Sequence, residues 1–260
     1  MLVTLAIVAG RDEIIAYCDE LLAADAFEDY GPNGLQVPGA PQVSAIATGV
    51  SANLDFLHAA AQSGAQLAMV HHGLLWGGRL EPLTGAMAAR LRTLLGADVS
   101  LAAYHLPLDA HPQIGNNAIL RALLGLAEDG RPFGLAKGAP IGTIGRSERP
   151  LTVAELEGRL RQATGSEPLV FDSGPAGIEA VGIVTGGGAF AIHEAARLGL
   201  HALVTGEPSE PVMGEAREYG IHFLAGGHYA TETFGIRRLG EVVAERFGLA
   251  HQFIDVPNPI

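Results

Sequence analysis

The sequence predicts an α/β protein of two lobes, the second inserted into the first. Two observations predict the class and a third predicts the insertion. Runs rich in Val and Ile alternate with longer stretches of helical spacing, mostly in the order strand then helix, as in covered sheets. At 260 residues, 48% hydrophobic and 17% charged, the chain is globular, with core enough for one large domain or two modest lobes. Three segments rich in histidine and carboxylate follow strand-like runs, two before residue 128 and one after residue 225. If they share one site, the chain leaves the first lobe and comes back to it.

Taken in order, the apolar start at 1–10 lacks a basic leading region, and the amphipathic run 11–24 follows it directly as the first helix. A bilayer span needs about 20 apolar residues, so no membrane association and a cytoplasmic location are expected. Next come strand 43–50, helix 52–63, strand 66–70, helix 87–95, strand 99–104 and helix 116–124. Glu128-Asp-Gly-Arg-Pro-Phe-Gly134 breaks the apolar rhythm with charge, glycine and proline and marks the expected seam. Beyond it, strands are expected at 141–145, 169–172, 180–185, 202–205, 221–225 and 252–256, with helices at 153–163, 189–198, 210–219 and 231–247. The lobes are therefore expected at 1–127 plus 226–260 and at 128–225.

Composition removes several function classes. The net charge is −12 and Lys137 is the only lysine, so broad nucleic-acid binding is disfavoured, although a local arginine cluster could still hold a phosphate. Cys18 is the only cysteine, which excludes an internal disulfide and thiolate metal sites; it reads as a small core residue on the first helix. No serine sits in a nucleophile elbow. Thr185-Gly-Gly-Gly188 lacks the Gly-Lys-Ser/Thr of a P-loop and reads first as a tight turn, with backbone amides approaching a phosphate as the alternative. Arg79 is a weak candidate for anion contact. His58, His193, His201, His222 and His251 are left as ordinary surface or interior histidines, and His111 is weighed the same way.

What remains is concentrated at three strand ends. His71 and His72 close the run 66–70 and open over Gly73; neighbouring strand residues point to opposite faces, so both serve one site only beyond the last regular residue. Tyr104-His-Leu-Pro-Leu-Asp109 follows a second strand and Gly226-Gly-His-Tyr-Ala-Thr-Glu232 a third. The candidates are thus His71, His72, His105, Asp109, His228 and Glu232. Imidazole and carboxylate suit Zn, Fe, Mn, Co or Ni, and five or six ligands exceed what one tetrahedral ion takes, so two divalent ions bridged by a carboxylate are expected. His228 and Glu232 are four apart at a helix start and converge on one helical face. Pro107 argues against a regular helix between His105 and Asp109, favouring a loop. His105 is a ligand, a proton donor or a partner that orients Asp109.

These three segments, with Tyr30-Gly-Pro-Asn-Gly-Leu-Gln-Val37, resemble the GTP cyclohydrolase 1 type 2 family, the Nif-three-like dinuclear-metal proteins, through nearly the whole chain. The resemblance implies metal ligands at His71, His72, Asp109, His228 and Glu232. It implies two α/β lobes facing each other with the dinuclear site in the cleft, and a ring-shaped homohexamer. It also implies hydrolytic opening of the guanine ring of GTP by metal-activated water. Two positions depart from the family: Gly73 stands where a proline often follows the histidine pair, and Leu106-Pro107 occupies a usually more polar position. The expected function is a dinuclear metal-dependent hydrolase acting on a nucleotide or other anionic small molecule. The alternative is a non-catalytic metal-binding, metal-delivery or regulatory protein.

Overall fold

Residues 7–77 and 83–260 are described by the computed structural model. Positions 1–6 and Arg79 lie outside the described residues. The chain falls into two units, Met1–Leu108 with Ile236–Val256 and Asp109–Gly235 with Pro257–Ile260. Both mix strands and helices, so the α/β class holds in each.

The first unit is built on a five-stranded sheet ordered Ala250–Phe253, Ala45–Ser51, Leu67–His72, Ser100–Ala103, Gly34–Val37. The first four strands are parallel and Gly34–Val37 is an antiparallel edge. Leu67, Ala68, Met69 and Val70 are all fully buried, which accounts for an unbroken apolar run where alternation would mark a half-exposed strand. Helix Leu54–Gln62 starts where the Asn53 side chain accepts the Phe56 N–H at 2.9 Å, and Gly85–Gly96 starts where Thr84 accepts that of Met87. Their inner faces bury Phe56, Leu57 and Leu94 with Val70 and Leu101. Each such side chain contributes about 1.5–3 kcal/mol on burial. Because Val70 pairs with Ala103 in parallel register, the strand end His71-His72 lies beside Tyr104-His105, where the neighbouring strand has ended.

In the second unit the sheet runs Leu169–Phe171, His222–Ala225, Ala202–Thr205, Ile178–Val184, Ala139–Leu151, Ala127–Glu128, with Phe133–Ala136 also pairing with Ala139–Leu151. The three strands from His222–Ala225 to Ile178–Val184 are parallel and the remaining pairings antiparallel. Val184, Thr205 and Ala225 are in register, which aligns the three chain exits Thr185, Gly206 and Gly226. Helix Val153–Thr164 opens on a capping box between Thr152 and Glu155 and ends at Gly165, whose φ is 72°. Leu156 and Leu160 from this helix pack with Ile183, Val204 and Leu224.

Glu128–Gly134, the expected seam, lies inside the second unit: the strands on either side of the break both pair with Ala139–Leu151, so it is a loop within one sheet. The chain changes unit inside two helices, Leu106–Ala110 and Thr233–Phe247. The first corrects the loop expected around Pro107. Proline is the second residue of that helix, where its missing N–H costs no helical hydrogen bond. Among the described residues no helix is long and apolar enough to cross a membrane.

Candidate metal centre

In the first unit three imidazoles gather. The strand runs on through His72, two residues past the expected end, and the His71 and His72 rings still meet at 4.8 Å between centroids. His72 is the last residue of the strand, so no further ladder residue confines its side chain. One ring nitrogen from each of His71, His72 and His105 lies within 4.8 Å of the others. Every Nδ1 is already turned to a protein oxygen. That of His71 is 2.9 Å from the Tyr104 carbonyl, that of His72 3.1 Å from Ser51 Oγ, and that of His105 2.7 Å from Asp29 Oδ1. A carbonyl only accepts, so Nδ1 of the fully buried His71 carries the proton and Nε2 the lone pair. An imidazole that gives one N–H to a carbonyl or carboxylate has the pattern of a metal ligand, with Nε2 as the donor to the ion.

Asp29 organises the rim of this cluster. Its Oδ2 accepts from Asn33 Nδ2 at 3.0 Å and from the Leu106 N–H at 2.9 Å, and the Asn33 Oδ1 in turn accepts the His105 N–H at 2.9 Å. Burial raises the Asp29 carboxyl, but the hydrogen bonds from His105, Asn33 and Leu106 outweigh it and hold the group below the usual carboxylate range. His105 takes Asp29 as its partner at Nδ1, and Asn116 and Thr185 donate to the Asp109 side chain. Gly73, one of the departures, lies against Gln36. A Cβ there would run into the Gln36 amide, whose Oε1 accepts the N–H of Leu74 at 2.8 Å and of Leu75 at 3.3 Å.

In the second unit the donors are two carboxylates and one imidazole, Asp109, Glu232 and His228. Asp109 is 5% exposed and its Oδ1 accepts from Asn116 Nδ2 at 2.8 Å and from Thr185 Oγ1 at 3.4 Å. Asn116 is locked in that orientation because its Oδ1 accepts the Gly235 N–H at 2.7 Å. Asn117 ties the same region down from its other side, donating to the carbonyls of Asp109 and Ile141 and accepting the Thr185 N–H. His228 and Glu232 do meet, Nε2 to Oε2 at 3.1 Å, although the helical turn His228–Thr231 stops before Glu232 and a new helix begins at Thr233. Nδ1 of His228 is 3.3 Å from Glu207 Oε2. Burial works against a charge on His228, and the two carboxylates outweigh it and push its pKa up to about 9.

The glycine turn after Ile178–Val184 serves this set without a ligand of its own. The Gly186 N–H is given to Thr231 Oγ1 and that of Gly188 to Thr205 Oγ1. With the Thr185 N–H on Asn117, these amides are engaged within the fold, as a tight turn requires and a phosphate cradle does not. Gly186 has φ +62°, and a Cβ on it would overlap the Glu232 carboxylate.

Sequence reasoning named all six of these histidines and carboxylates but missed Asp29, Glu207, Asn116 and Asn117, and no spacing connects those residues to the groups they hold. The donors that are present, imidazole nitrogens with fixed partners and buried carboxylates, fit borderline divalent cations. A buried carboxylate is costly unless paired or bound to a cation, and Asp109 and Glu232 are both buried.

Comparisons with known proteins show the family and the fold. The family model Duf34/NIF3 (NGG1p interacting factor 3) matches residues 9–259. The chain is 43% identical over 249 residues to the GTP cyclohydrolase 1 type 2 homolog of Deinococcus radiodurans, covering 96% of this chain and 94% of that one. It is equally 43% identical over 248 residues to the protein of the same description from Escherichia coli K12, covering 95% and 98%. Among solved structures, the protein ybgI, described as of unknown function, superposes with a TM-score of 0.91 at 42% identity over 97% of this chain and all of the other (100%). TTHA1606 from Thermus thermophilus gives 0.88 at 36% identity over 97% and 100%. With the family model spanning nearly every residue and relatives above 40% identity over nearly the whole length, the chain belongs to the Duf34/NIF3 family.

Proposed function

We propose that the protein is a hydrolase dependent on two divalent metal ions, with His71, His72, Asp109, His228 and Glu232 as ligands and a nucleotide or another anionic small molecule as substrate. The observation that carries this reading is the imidazole cluster: three ring nitrogens within 4.8 Å of one another, each ring held through Nδ1 by a protein oxygen. Such an arrangement commits each Nδ1 to the fold and suits the Nε2 atoms of His71 and His72 to a cation and that of His105 to a proton. The relatives' description as GTP cyclohydrolase 1 type 2 homologs supports hydrolytic opening of a guanine-type ring as the finer reading. When bound, the ions supply Lewis acidity and a water whose pKa falls from ~15.7 to about 7. His105 holds and moves a proton at Nε2, and Asp29 fixes its ring through Nδ1. Asn116 and Thr185 fix the Asp109 carboxylate in place through its Oδ1.

The test is one preparation of metal-loaded protein, analysed for metal content and screened for turnover of GTP, other nucleotides and phosphoesters. The expected result is close to two ions per chain together with turnover. His105→Asn should keep both ions and lose about 10²–10⁴-fold of the turnover, the usual size of a general acid–base contribution. A single tightly held ion would overturn the dinuclear reading. Rapid transfer of metal to an apo-acceptor without turnover of any probe would overturn the hydrolase and favour a delivery protein.

A further inference from the structure

Trp76, the only tryptophan of the chain, is 43% exposed beside the imidazole cluster. Its ring centroid lies 5.3 Å from that of His105 at an interplanar angle of 85°, and 6.0 Å from that of His72. Tyr30, 49% exposed, approaches His105 from the neighbouring loop at 6.0 Å. An indole left in water next to half-buried imidazoles is not explained by packing, since large aromatic rings are among the strongest drivers of burial. Nor does its rim move freely. The Trp76 Nε1–H donates to the Gly73 carbonyl at 3.0 Å, the Gly77 N–H donates to the Tyr30 carbonyl at 2.7 Å, and Gln36 holds Leu74 and Leu75. The two loops are thereby stitched together and the rings are preorganised.

The hydrogen bond to Gly73 decides what Trp76 can offer. An indole has a single donor and no acceptor, and that donor is already used inside the protein. What remains for a ligand is the π face, which binds planar rings by stacking whatever their hydrogen-bonding edge. The surroundings disfavour the other π-face ligand, an organic cation, because the adjoining groups are three imidazoles read here as metal ligands and a proton carrier.

We propose that Trp76, flanked by Tyr30, is a stacking platform that binds a planar heteroaromatic ring of the substrate beside the imidazole cluster. The proposal deepens the hydrolase reading by assigning the part of the substrate that is recognised, but the binding it describes needs no turnover.

The experiment measures calorimetric binding of two probes, guanosine 5′-monophosphate and ribose 5-phosphate, to metal-loaded wild type, Trp76→Ala and Trp76→Phe. Metal content is determined for each. In the wild type the sole tryptophan also reports directly, and its emission should change saturably with the guanosine probe and stay flat with the sugar phosphate. Trp76→Ala should weaken the guanosine probe about tenfold, in line with the loss of one base–aromatic stack, and change the sugar phosphate less than twofold. Trp76→Phe should restore most of the loss, because it keeps a π face without the indole N–H. Equal weakening of both probes, unchanged binding of the guanosine probe in Trp76→Ala, or no guanosine binding by metal-loaded wild type would each overturn the platform. Ring-dependent binding without turnover would leave the platform standing and remove the hydrolase. Turnover of ring-free phosphoesters untouched by Trp76→Ala would do the reverse.

Discussion

The two units solve the same problem, holding a polar group still inside a protein, with opposite materials. The first unit presents imidazoles, each pinned through Nδ1 by a carbonyl, a hydroxyl or a carboxylate. An imidazole has two nitrogens, so one can be spent on the fold and the other kept for chemistry, and His71 is fully buried with its proton placed on Nδ1. The second unit presents two carboxylates beside the single imidazole of His228, and carboxylates have no such division of labour and carry full charge. Asp109 needs Asn116 and Thr185 on one oxygen, and Glu232 is balanced by His228, which Glu207 also faces. The difference teaches where the design is brittle. Removing a prop from an imidazole loosens a ring; removing one from a buried carboxylate leaves a buried charge short of a hydrogen bond.

The largest expected effect comes from taking a charge out of the second set. Glu232→Gln should lower metal affinity by more than about 100-fold, beyond the 10–100-fold that outer partners of metal ligands typically contribute. His251→Gln is the counterpart in the first unit. Its Nε2 bonds Thr48 Oγ1 at 2.8 Å across two parallel strands, so the substitution should leave metal binding alone and cost about 1 kcal/mol of unfolding free energy. Equal metal affinity in the two variants, titrated under metal-limited conditions, would remove Glu232 from the ligand set.

A smaller effect tests the props themselves. Asn116→Ala should weaken metal binding about 10–100-fold, whereas Ser51→Ala, behind His72, should fall below that range because the ring keeps its place at the strand end. The reverse order in a metal titration of both variants would break the contrast between imidazole and carboxylate.

The smallest effect is a slope with pH. His228 is protonated in the metal-free protein up to about pH 9, and a cation must displace that proton. Apparent metal affinity should therefore fall about tenfold per pH unit as pH drops below 9, the factor that corresponds to one bound proton. The metal-free fold has the opposite sign. A raised histidine pKa contributes stability that is fully present below the unfolded value of 6.5 and lost as pH rises through about 9. Glu207→Gln should move the onset of the metal slope to lower pH, and an onset unchanged in that variant would detach His228 from Glu207.

Much of this is readable from residues alone, and the failures have physical causes. Strand 202–205 and the helix from Asn116 are legible because their hydrophobic periodicity is dictated by a sheet or a core on one side. The 13-residue strand Ala139–Leu151 is legible only over its apolar stretch, since Arg146 to Arg149 face water and resemble a loop. Gly34–Val37 escapes because a short antiparallel edge beginning with glycine carries almost no strand signal. Among the site residues, His71, His72, His105, Asp109, His228 and Glu232 stand out because unusual chemistry clusters at strand ends. Asp29 does not, because it acts on His105 across 76 positions that only the fold closes; Asn116 lies seven positions from Asp109, but what aims it is the Gly235 N–H, 119 positions away.

The bare backbone of Gly186 has a consequence for reading other chains of this kind. Its left-handed φ of 62° and its closeness to the Glu232 carboxylate mean that a methyl group at this one position would push aside a candidate ligand while leaving every candidate ligand in the sequence. A survey that scores only the histidines and acids would count such a chain as intact. The informative inventory for inheritance of the centre therefore includes a residue with no side chain at all, and an alanine at 186 marks a lineage in which the site has been remodelled or abandoned.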